Sequence, residues 1–472
     1  MEKKTAIILL AILALGLGLR VYNLGSESIW LDEGYALREA LNPSAKAVIA
    51  SLHTYNGTPP AYYLLLHYTI QFIGSSEFAL RLPSALLGTL LILLVFLIGS
   101  EISEKVGLIG AAITGFSTIH ILYAQEARAY ALLSVFGILS SYIFIKFLKN
   151  PKMFTGILYS FFAASVIYTH YLGFVLLVLH AAAFFIVKEH THLTFKHWCR
   201  TQLGILLLYI PNASLFIDQL KNLQKVLPTH LINLGVPASI AKLGGFVVAI
   251  PTIIFAIVIP LIPRLKKVLT AQNLVQKIKI AIRNQNTVLV VAAIFFASYI
   301  IFIPRFTSSF FLTRYTHFLF PFLYIGAACV FMNQTKRAKQ ILSVFFIVAT
   351  LFALFTYYHN APRKEQWREA AAFIESKESA GELIIVIDQD SLIPFEYYYN
   401  GNRQRIGFPT YLDKEKNEQI LLQAEPMLLT YRGYWVVFSR AKKEQGVYSG
   451  YFKNYHLKGS RFFKGIEVYH YQ

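Results

Sequence analysis

Carboxylates and arginines at the ends of apolar runs are the residues here whose types and spacing could do chemistry. Acids are scarce, with only eleven in the first 357 residues. Two of them stand together in Ile29-Trp-Leu-Asp-Glu-Gly-Tyr35, just after an apolar run. A carboxylate there, flanked by Trp30 and Tyr35, could accept a proton from a hydroxyl. Local sequence also allows a plainer reading, in which Asp32 is the N-cap of a short helix running to about Leu41 and stopped before Pro43. Glu126 and Arg128 lie in Tyr123-Ala-Gln-Glu-Ala-Arg-Ala-Tyr130, a turn between two apolar runs that is too short to carry its charges far into water. Arg81 opens a further run in Ala79-Leu-Arg-Leu-Pro83, while Arg305, Arg314 and Tyr315 fall in the connection from Pro304 to His317. Arginine's planar fork suits a phosphate, although an arginine at a span end can also simply snorkel to headgroups. His53, His67, His120 and His170 have no zinc-ligand spacing and read as interfacial or packing residues, His170 being the one most open to contact with a substrate.

Composition says what must position these groups. Of the 472 residues, 56% are apolar and 15% charged, against about 25% charged in ordinary soluble proteins. The net charge of +19 is uneven: residues 1–357 hold 28 basic and 11 acidic residues, and residues 358–472 hold 16 and 14. The excess sits in loops between apolar runs, not on a polar fold, which argues against nucleic acid as a partner. Two cysteines, Cys199 and Cys329, imply no disulfide framework. The run from Thr5 to Leu19 resembles a signal peptide but lacks a small-x-small cleavage site, and reads as an uncleaved first helix.

A bilayer core of about 30 Å takes about 20 apolar residues per helix. Eleven runs qualify, at 5–22, 80–100, 107–123, 129–147, 154–169, 171–187, 201–217, 241–263, 287–304, 315–332 and 340–357. Tyr62–Ile73 is apolar but too short, and reads as interfacial. With the N-terminus inside, every strongly basic connection is cytoplasmic, above all 264–286, which carries Arg264, Lys266, Lys267, Lys277, Lys279 and Arg283 and no acid. Counting Tyr62–Ile73 as a span would invert that pattern. The expected architecture is a polytopic α-helical membrane domain over 1–357, with a first extracytoplasmic loop at 23–79, followed by a soluble extracytoplasmic α/β domain over 358–472. In the latter, Arg363–Lys377 reads as a helix, and Glu382–Ile387, Tyr431–Phe438 and Gly465–Tyr471 read as strands. This topology puts the protein in the plasma membrane and puts Asp32, Glu33, Arg81, Glu126, Arg128, Arg305 and Arg314 on its outer side. No acid lies mid-span, whereas a proton-coupled transporter normally carries some there.

Five blocks, Trp30-Leu-Asp-Glu-Gly-Tyr35, Thr58-Pro-Pro-Ala-Tyr-Tyr63, Leu80-Arg-Leu-Pro-Ser84, Tyr123-Ala-Gln-Glu-Ala-Arg128 and Thr169-His-Tyr171, resemble the GT-C glycosyltransferases in order, spacing and sidedness. The branch they resemble is that of the protein O-mannosyltransferases and aminoarabinose transferases, over about residues 1–360. Arg363-Lys-Glu-Gln-Trp-Arg-Glu-Ala370 is similar to the start of the outer domain in prokaryotic members. Thr58 stands where many relatives have His, and the Trp-Trp-Asp-type signature of oligosaccharyltransferases is absent.

The resemblance implies inverting transfer of a sugar from a polyprenyl-phosphate donor to an acceptor hydroxyl on a lipid, glycan or protein at the outer face. Asp32, Glu33 and Glu126 would be the catalytic acids, with Asp32 as base. Arg128, Arg81, Arg305, Arg314 and Tyr315 would hold the donor phosphate, and Trp30, Tyr35, Tyr130 and His170 would contact substrate. A sugar phosphate leaves without a general acid, so one base and several cations suffice, unlike the paired carboxyls of a glycosidase. Either the arginines or a metal could supply the charge stabilisation, and Asp32 and Glu126 could share Mg²⁺ or Mn²⁺. A transporter or flippase of a lipid-linked sugar, and a non-catalytic scaffold whose outer domain binds envelope polymers, are the alternatives.

Overall fold

The computed structural model describes residues 1–54, 59–187, 191–222, 316–360, 362–409, 414–439 and 445–472. The expected spans 241–263 and 287–304, the basic loop 264–286, Thr58, Arg305, Arg314 and Tyr315 lie outside the described residues. Packing separates a helical unit, Met1–Tyr22 with Leu41–Phe72 and Arg81–Leu354, from a second unit, Asn23–Ala40 with Ile73–Leu80 and Phe355–Gln472. The stretch 23–40, which the sequence places in a loop between spans, thus packs with the C-terminal residues.

The helices are α1 (Lys3–Val21), α2 (Leu31–Ala40), α3 (Ala45–Ser51), α4 (Ala61–Ile73), α5 (Glu77–Ser100), α6 (Glu104–Phe116), α7 (Thr118–Ala124), α8 (Tyr130–Lys149), α9 (Met153–Thr169), α10 (Gly173–Val187), α11 (Phe195–Tyr209), α12 (Phe320–Met332) and α13 (Lys336–His359). In hydrocarbon every backbone N–H and C=O must be paired within the segment, so apolar runs of this length become helices. Among the described residues, α1, α5, α8, α11 with its continuation to Asn222, and α13 are long and apolar enough to cross a membrane. α4 has 13 residues and rises only about 20 Å, too short for a span. The core of this unit is aromatic as well as aliphatic: Phe184 stacks on Trp198 at 4.8 Å, and Ser141 Oγ and Tyr159 OH lie at 2.9 and 3.3 Å from the two ring nitrogens of His180.

One expected span is broken. The run 107–123 reads as a single helix, but α6 and α7 meet at 60°, with Ser117 in an extended conformation between them. Breaking a helix strands the carbonyls of its last turn. Here the Arg20 guanidinium, at 0% exposure, donates to Thr114 O at 3.1 Å and Gly115 O at 3.0 Å, and back to Gly16 O at 2.9 Å. In return Gln125, just past α7, donates from Nε2 to the carbonyls of Leu19, Arg20 and Tyr22 at 3.3, 3.2 and 2.9 Å, closing the end of α1. Glycines admit this approach: a Cβ on Gly88 would sit 2.6 Å from Ala124 Cβ and 3.0 Å from Arg20 Nε.

The second unit holds a five-stranded sheet of order β2-β1-β3-β5-β4, with β1 at Glu382–Ile387, β2 at Arg405–Phe408, β3 at Gly433–Ser439, β4 at Leu457–Phe463 and β5 at Ile466–Tyr471. β1 runs parallel to β2 and β3, while β5 is antiparallel to β3 and β4. Every residue of β1 and β3 is buried, as expected for strands covered on both faces. α14 (Trp367–Glu375) and α15 (Leu392–Tyr398) contribute Trp367, Ile374 and Phe395 to one face. α16 (Lys414–Leu428) and α17 (Gln445–Phe452) contribute Leu421, Tyr448 and Phe452 to the other. The helix and three strands expected from the sequence are present within a few residues; β2 and β4 are additional.

Replacing Arg20 with Leu leaves the Thr114 and Gly115 carbonyls without that donor, at about 1–3 kcal/mol for each buried unsatisfied group. The thermal unfolding midpoint of the detergent-solubilised protein should fall clearly. A midpoint equal to wild type would show that the bend does not depend on this side chain.

Candidate active site

The candidate residues divide between the two units. In the helical unit Glu126, Arg128 and Tyr130 lie at the turn from α7 to α8, Arg81 on α5 and His170 at the end of α9. Gln125, fixed at the end of α1, precedes Glu126, which is only 5% exposed. The Arg128 N–H donates to Glu126 O at 2.8 Å, which curls the turn, and its half-buried guanidinium stands 5.9 Å from the centre of the Tyr130 ring. The charges therefore sit inside the fold, as the shortness of the turn requires. Arg81, in the second turn of α5, is 2% exposed, so the snorkelling reading fails for it. Its side chain is buried within the protein.

His317, which the sequence gives no reason to single out, centres an aromatic group behind the turn. Its ring lies 4.4 Å from Tyr123 and 5.7 Å from Tyr130, and its Nε2 is 3.1 Å from both Ser134 Oγ and Tyr130 O. A histidine following an apolar connection is weak evidence by itself; only the fold shows that it orders Tyr130. His170 caps α9, accepting the Leu172 N–H at Nδ1 over 3.1 Å, so a neutral ring carries its proton on Nε2. His53 is bound to Asp218 at 2.8 Å and His67 to Gln71 at 2.9 Å, consistent with the packing reading.

In the second unit Asp32 lies inside the first turn of α2, which starts at Leu31. It is therefore not the N-cap; Trp30 O accepts the Gly34 N–H at 2.9 Å, and Asp32 is two residues further in, where the helix dipole favours a negative charge. Successive helical residues point about 100° apart, and this separates the acidic pair. Glu33 is buried at 1% exposure and accepts from Lys364 Nζ at 2.9 Å, whereas Asp32 is half-buried. Trp30 is buried at 8% and Tyr35 half-buried beneath Arg38, whose guanidinium is 5.1 Å from the ring centre.

Two further acids are clamped by the same C-terminal block. Glu27 accepts from the Arg363 N–H and Nε at 3.0 and 3.1 Å. Glu77 is paired with Arg368 and also accepts from Tyr398 OH at 2.9 Å. Tyr398 OH in turn accepts the Ile29 N–H at 2.7 Å, just ahead of the acidic motif. Arg363, Lys364 and Arg368 thus each hold one acid from residues 27–77. The sequence marks this block only by its resemblance, and its three cations are the one signal for this role. Gly34 lets α2 lie close on α15: a Cβ there would meet Ile393 Cγ2 at 3.2 Å. Burial by itself would raise the Glu27 carboxyl, but the Arg363 charge and hydrogen bonds outweigh it and hold the group below the usual range. Glu382 is similarly depressed: burial raises it, while hydrogen bonds from the Ser379 N–H, Trp435 Nε1 and His470 lower it further.

Among the described residues no three His, Cys, Asp or Glu side chains come together as a metal site. Asp32 and Glu126, the acids expected to share Mg²⁺ or Mn²⁺, belong to different units. Two carboxylates do not by themselves make a cage.

Residues 57–214 match the family model described as dolichyl-phosphate-mannose-protein mannosyltransferase. No curated protein matches the chain in sequence. Among solved structures, ArnT from Cupriavidus metallidurans bound to undecaprenyl phosphate aligns at TM-score 0.58 and 13% identity, covering 98% of this chain and 97% of that one. The archaeal oligosaccharyltransferase AglB from Archaeoglobus fulgidus, in complex with an inhibitory peptide and a dolichol-phosphate, aligns at TM-score 0.55 and 12% identity, covering 99% and 74%. A complex of the Archaeoglobus fulgidus oligosaccharyltransferase with Zn and sulfate aligns at TM-score 0.53 and 14% identity, covering 92% and 68%. The chain therefore has the fold of the GT-C glycosyltransferases, as the five motif blocks imply.

Lys364→Met leaves the Glu33 carboxylate buried without its cation, and should destabilise the protein by about 3–5 kcal/mol, the usual cost of breaking one side of a buried pair. Making Glu33→Met as well should recover most of that loss. Equal unfolding midpoints for the wild type and the single variant would show that the pair has no structural weight. A second expectation concerns pH. Glu27 and Glu382 titrate lower in the folded than in the unfolded chain, so their contribution is complete above the unfolded value near 4.5 and is lost as pH falls through the lower folded values. Melting midpoints measured from pH 7 down to 3 should drop over that range, and less steeply in Glu382→Gln. Parallel curves would exclude Glu382 from the acid sensitivity.

Proposed function

We propose that this chain is an integral-membrane glycosyltransferase that moves a sugar from a polyprenyl-phosphate donor to an acceptor hydroxyl at the extracytoplasmic face of the plasma membrane. The observation that carries the reading is the placement of Asp32: a half-buried carboxylate in the first turn of α2, held by the buried Glu33–Lys364 pair. The family match over 57–214 and the fold shared with transferases that bind undecaprenyl phosphate and dolichol-phosphate support it.

In this proposal Asp32 takes the proton from the acceptor hydroxyl, whose oxygen attacks the anomeric carbon. The bond from that carbon to the phosphate oxygen breaks on the opposite side, and polyprenyl phosphate leaves with the electron pair. Direct displacement inverts the anomeric centre. The leaving phosphate gains charge, which arginine neutralises. Arg128 and Arg81 are the described candidates, alongside Arg305, Arg314 and Tyr315 outside the described residues. Glu126 is the second acid, available to orient the sugar. Trp30, Tyr35, Tyr130 and His170 are the proposed substrate contacts. The Glu33–Lys364 pairing gives Glu33 the task of fixing α2 so that Asp32 is presented.

The test uses purified protein, a radiolabelled polyprenyl-phosphate sugar and crude envelope acceptors. Asp32→Asn keeps the side chain's size and should leave folding and donor binding intact. It should slow transfer about a hundredfold or more, since positioned bases contribute about 10²–10⁴-fold. Arg128→Ala should instead weaken donor binding by tens of fold, the loss of about 1.5–3 kcal/mol expected for a hydrogen bond to a charged group. Wild-type transfer by Asp32→Asn would reject it as the base. Lipid translocation by the wild type without sugar transfer would replace the enzyme reading with that of a flippase.

A further inference from the structure

α9 and α11 leave a groove of 740 Å³ between them, within the range of about 300–1,000 Å³ for small-molecule sites. Gly156 and Gly204 line its floor and let the helices close there: a Cβ on Gly204 would sit 2.9 Å from Ser160 Oγ. Ser160 holds the helices together below them, its Oγ donating to Thr201 O at 3.1 Å. Its walls are Ile157, Phe161, Leu207 and Leu208, all largely exposed apolar side chains. One end is different: Lys152, His197 and Arg200 line it, and no acid does. Among the described residues Lys152 and Arg200 form no ion pair, whereas the neighbouring Lys146 and Lys149 are both neutralised by Glu101.

The dimensions narrow the occupant. From Lys152 to Phe161, and from His197 to Leu208, the helices rise about 14 and 17 Å. That is half of a hydrocarbon core of about 30 Å, the depth of one leaflet. An apolar slot one leaflet deep, ending in cations without acid partners, is complementary to a lipid with an anionic head. We infer that this groove binds an anionic phospholipid of the surrounding bilayer, one acyl chain lying between α9 and α11 and its phosphate on Lys152, Arg200 and His197. On the sidedness given by the basic loops, that lipid belongs to the cytoplasmic leaflet, so it is distinct from the sugar donor proposed above.

The experiment is native mass spectrometry of the purified full chain titrated with phosphatidylglycerol and, separately, phosphatidylcholine. Wild type should retain phosphatidylglycerol at least about tenfold more strongly, since each basic residue near a lipid surface favours anionic lipid. Lys152→Glu with Arg200→Glu should abolish the preference. Both positions are exposed, so folding should survive, and an unchanged unfolding midpoint checks this. Ile157→Trp, which fills the slot and leaves the charges, should reduce retention of both lipids and remains informative if the double variant misfolds. Equal retention of the two lipids by wild type, a preference that survives charge reversal, or displacement of phosphatidylglycerol by equimolar polyprenyl phosphate would each overturn the assignment. None of these readouts depends on sugar transfer, so this proposal and the transferase reading can fail separately.

Discussion

A broken helix needs something to take the hydrogen bonds it gives up, and the helical unit is organised around that requirement. The 60° bend between α6 and α7 turns the chain toward Glu126 and Arg128. It persists because Arg20 occupies the freed carbonyls of Thr114 and Gly115, while Gln125 occupies those at the end of α1. Each helix end is finished by a side chain from the other's neighbourhood, so neither can be altered alone. A buried guanidinium is costly to dehydrate; backbone carbonyls on both sides compensate it, and three close-packed glycines, Gly16, Gly88 and Gly115, make the room.

The second unit answers a different question: how to hold a short helix in place. α2 has ten residues, too few to be stable alone. Its apolar residues Leu31, Ala36, Leu37 and Ala40 are buried, Glu33 is fixed on Lys364, and the segments around it are held by Glu27 on Arg363 and Glu77 on Arg368, with the Tyr398 hydroxyl joining Ile29 to Glu77. The pairs differ in exposure, and they do not weigh equally. Glu33 and Lys364, with side chains 0% and 9% exposed, are screened least. The side chain of Arg368 is 39% exposed, so solvent weakens its pair. Asp32 gains its setting from this framework, which leaves the neighbouring acid occupied.

Local patterns carry much of this into the sequence, and long-range pairings do not. β1, β3 and β5 are legible because buried aliphatic and aromatic residues dominate them; β4 is exposed along almost its whole length and offers no alternation to read. The apolar run 107–123 hides its bend, since Ser117 and Thr118 barely interrupt the hydropathy. Asp32 and Glu33 look equivalent as neighbours, and only the turn of a helix sets one inward. Arg20 passes for the polar end of a span. The candidate acids and arginines are legible as residue types at span ends, but Lys364, which holds Glu33, lies 331 residues away, beyond any local signal.

That separation also imposes an order in time. Glu33 and Lys364 are 331 residues apart. At about 5–20 residues per second of synthesis, roughly 15–65 seconds pass between the emergence of the acid and that of its cation. For that interval the acidic segment exists without the block that fixes it, while the helices between are being inserted. The second unit is therefore assembled last although part of it is made first. A chain ending before Arg363 would keep every expected span and yet lack all three of these cations. The setting of α2 and Asp32 therefore waits on the arrival of residues 363–368.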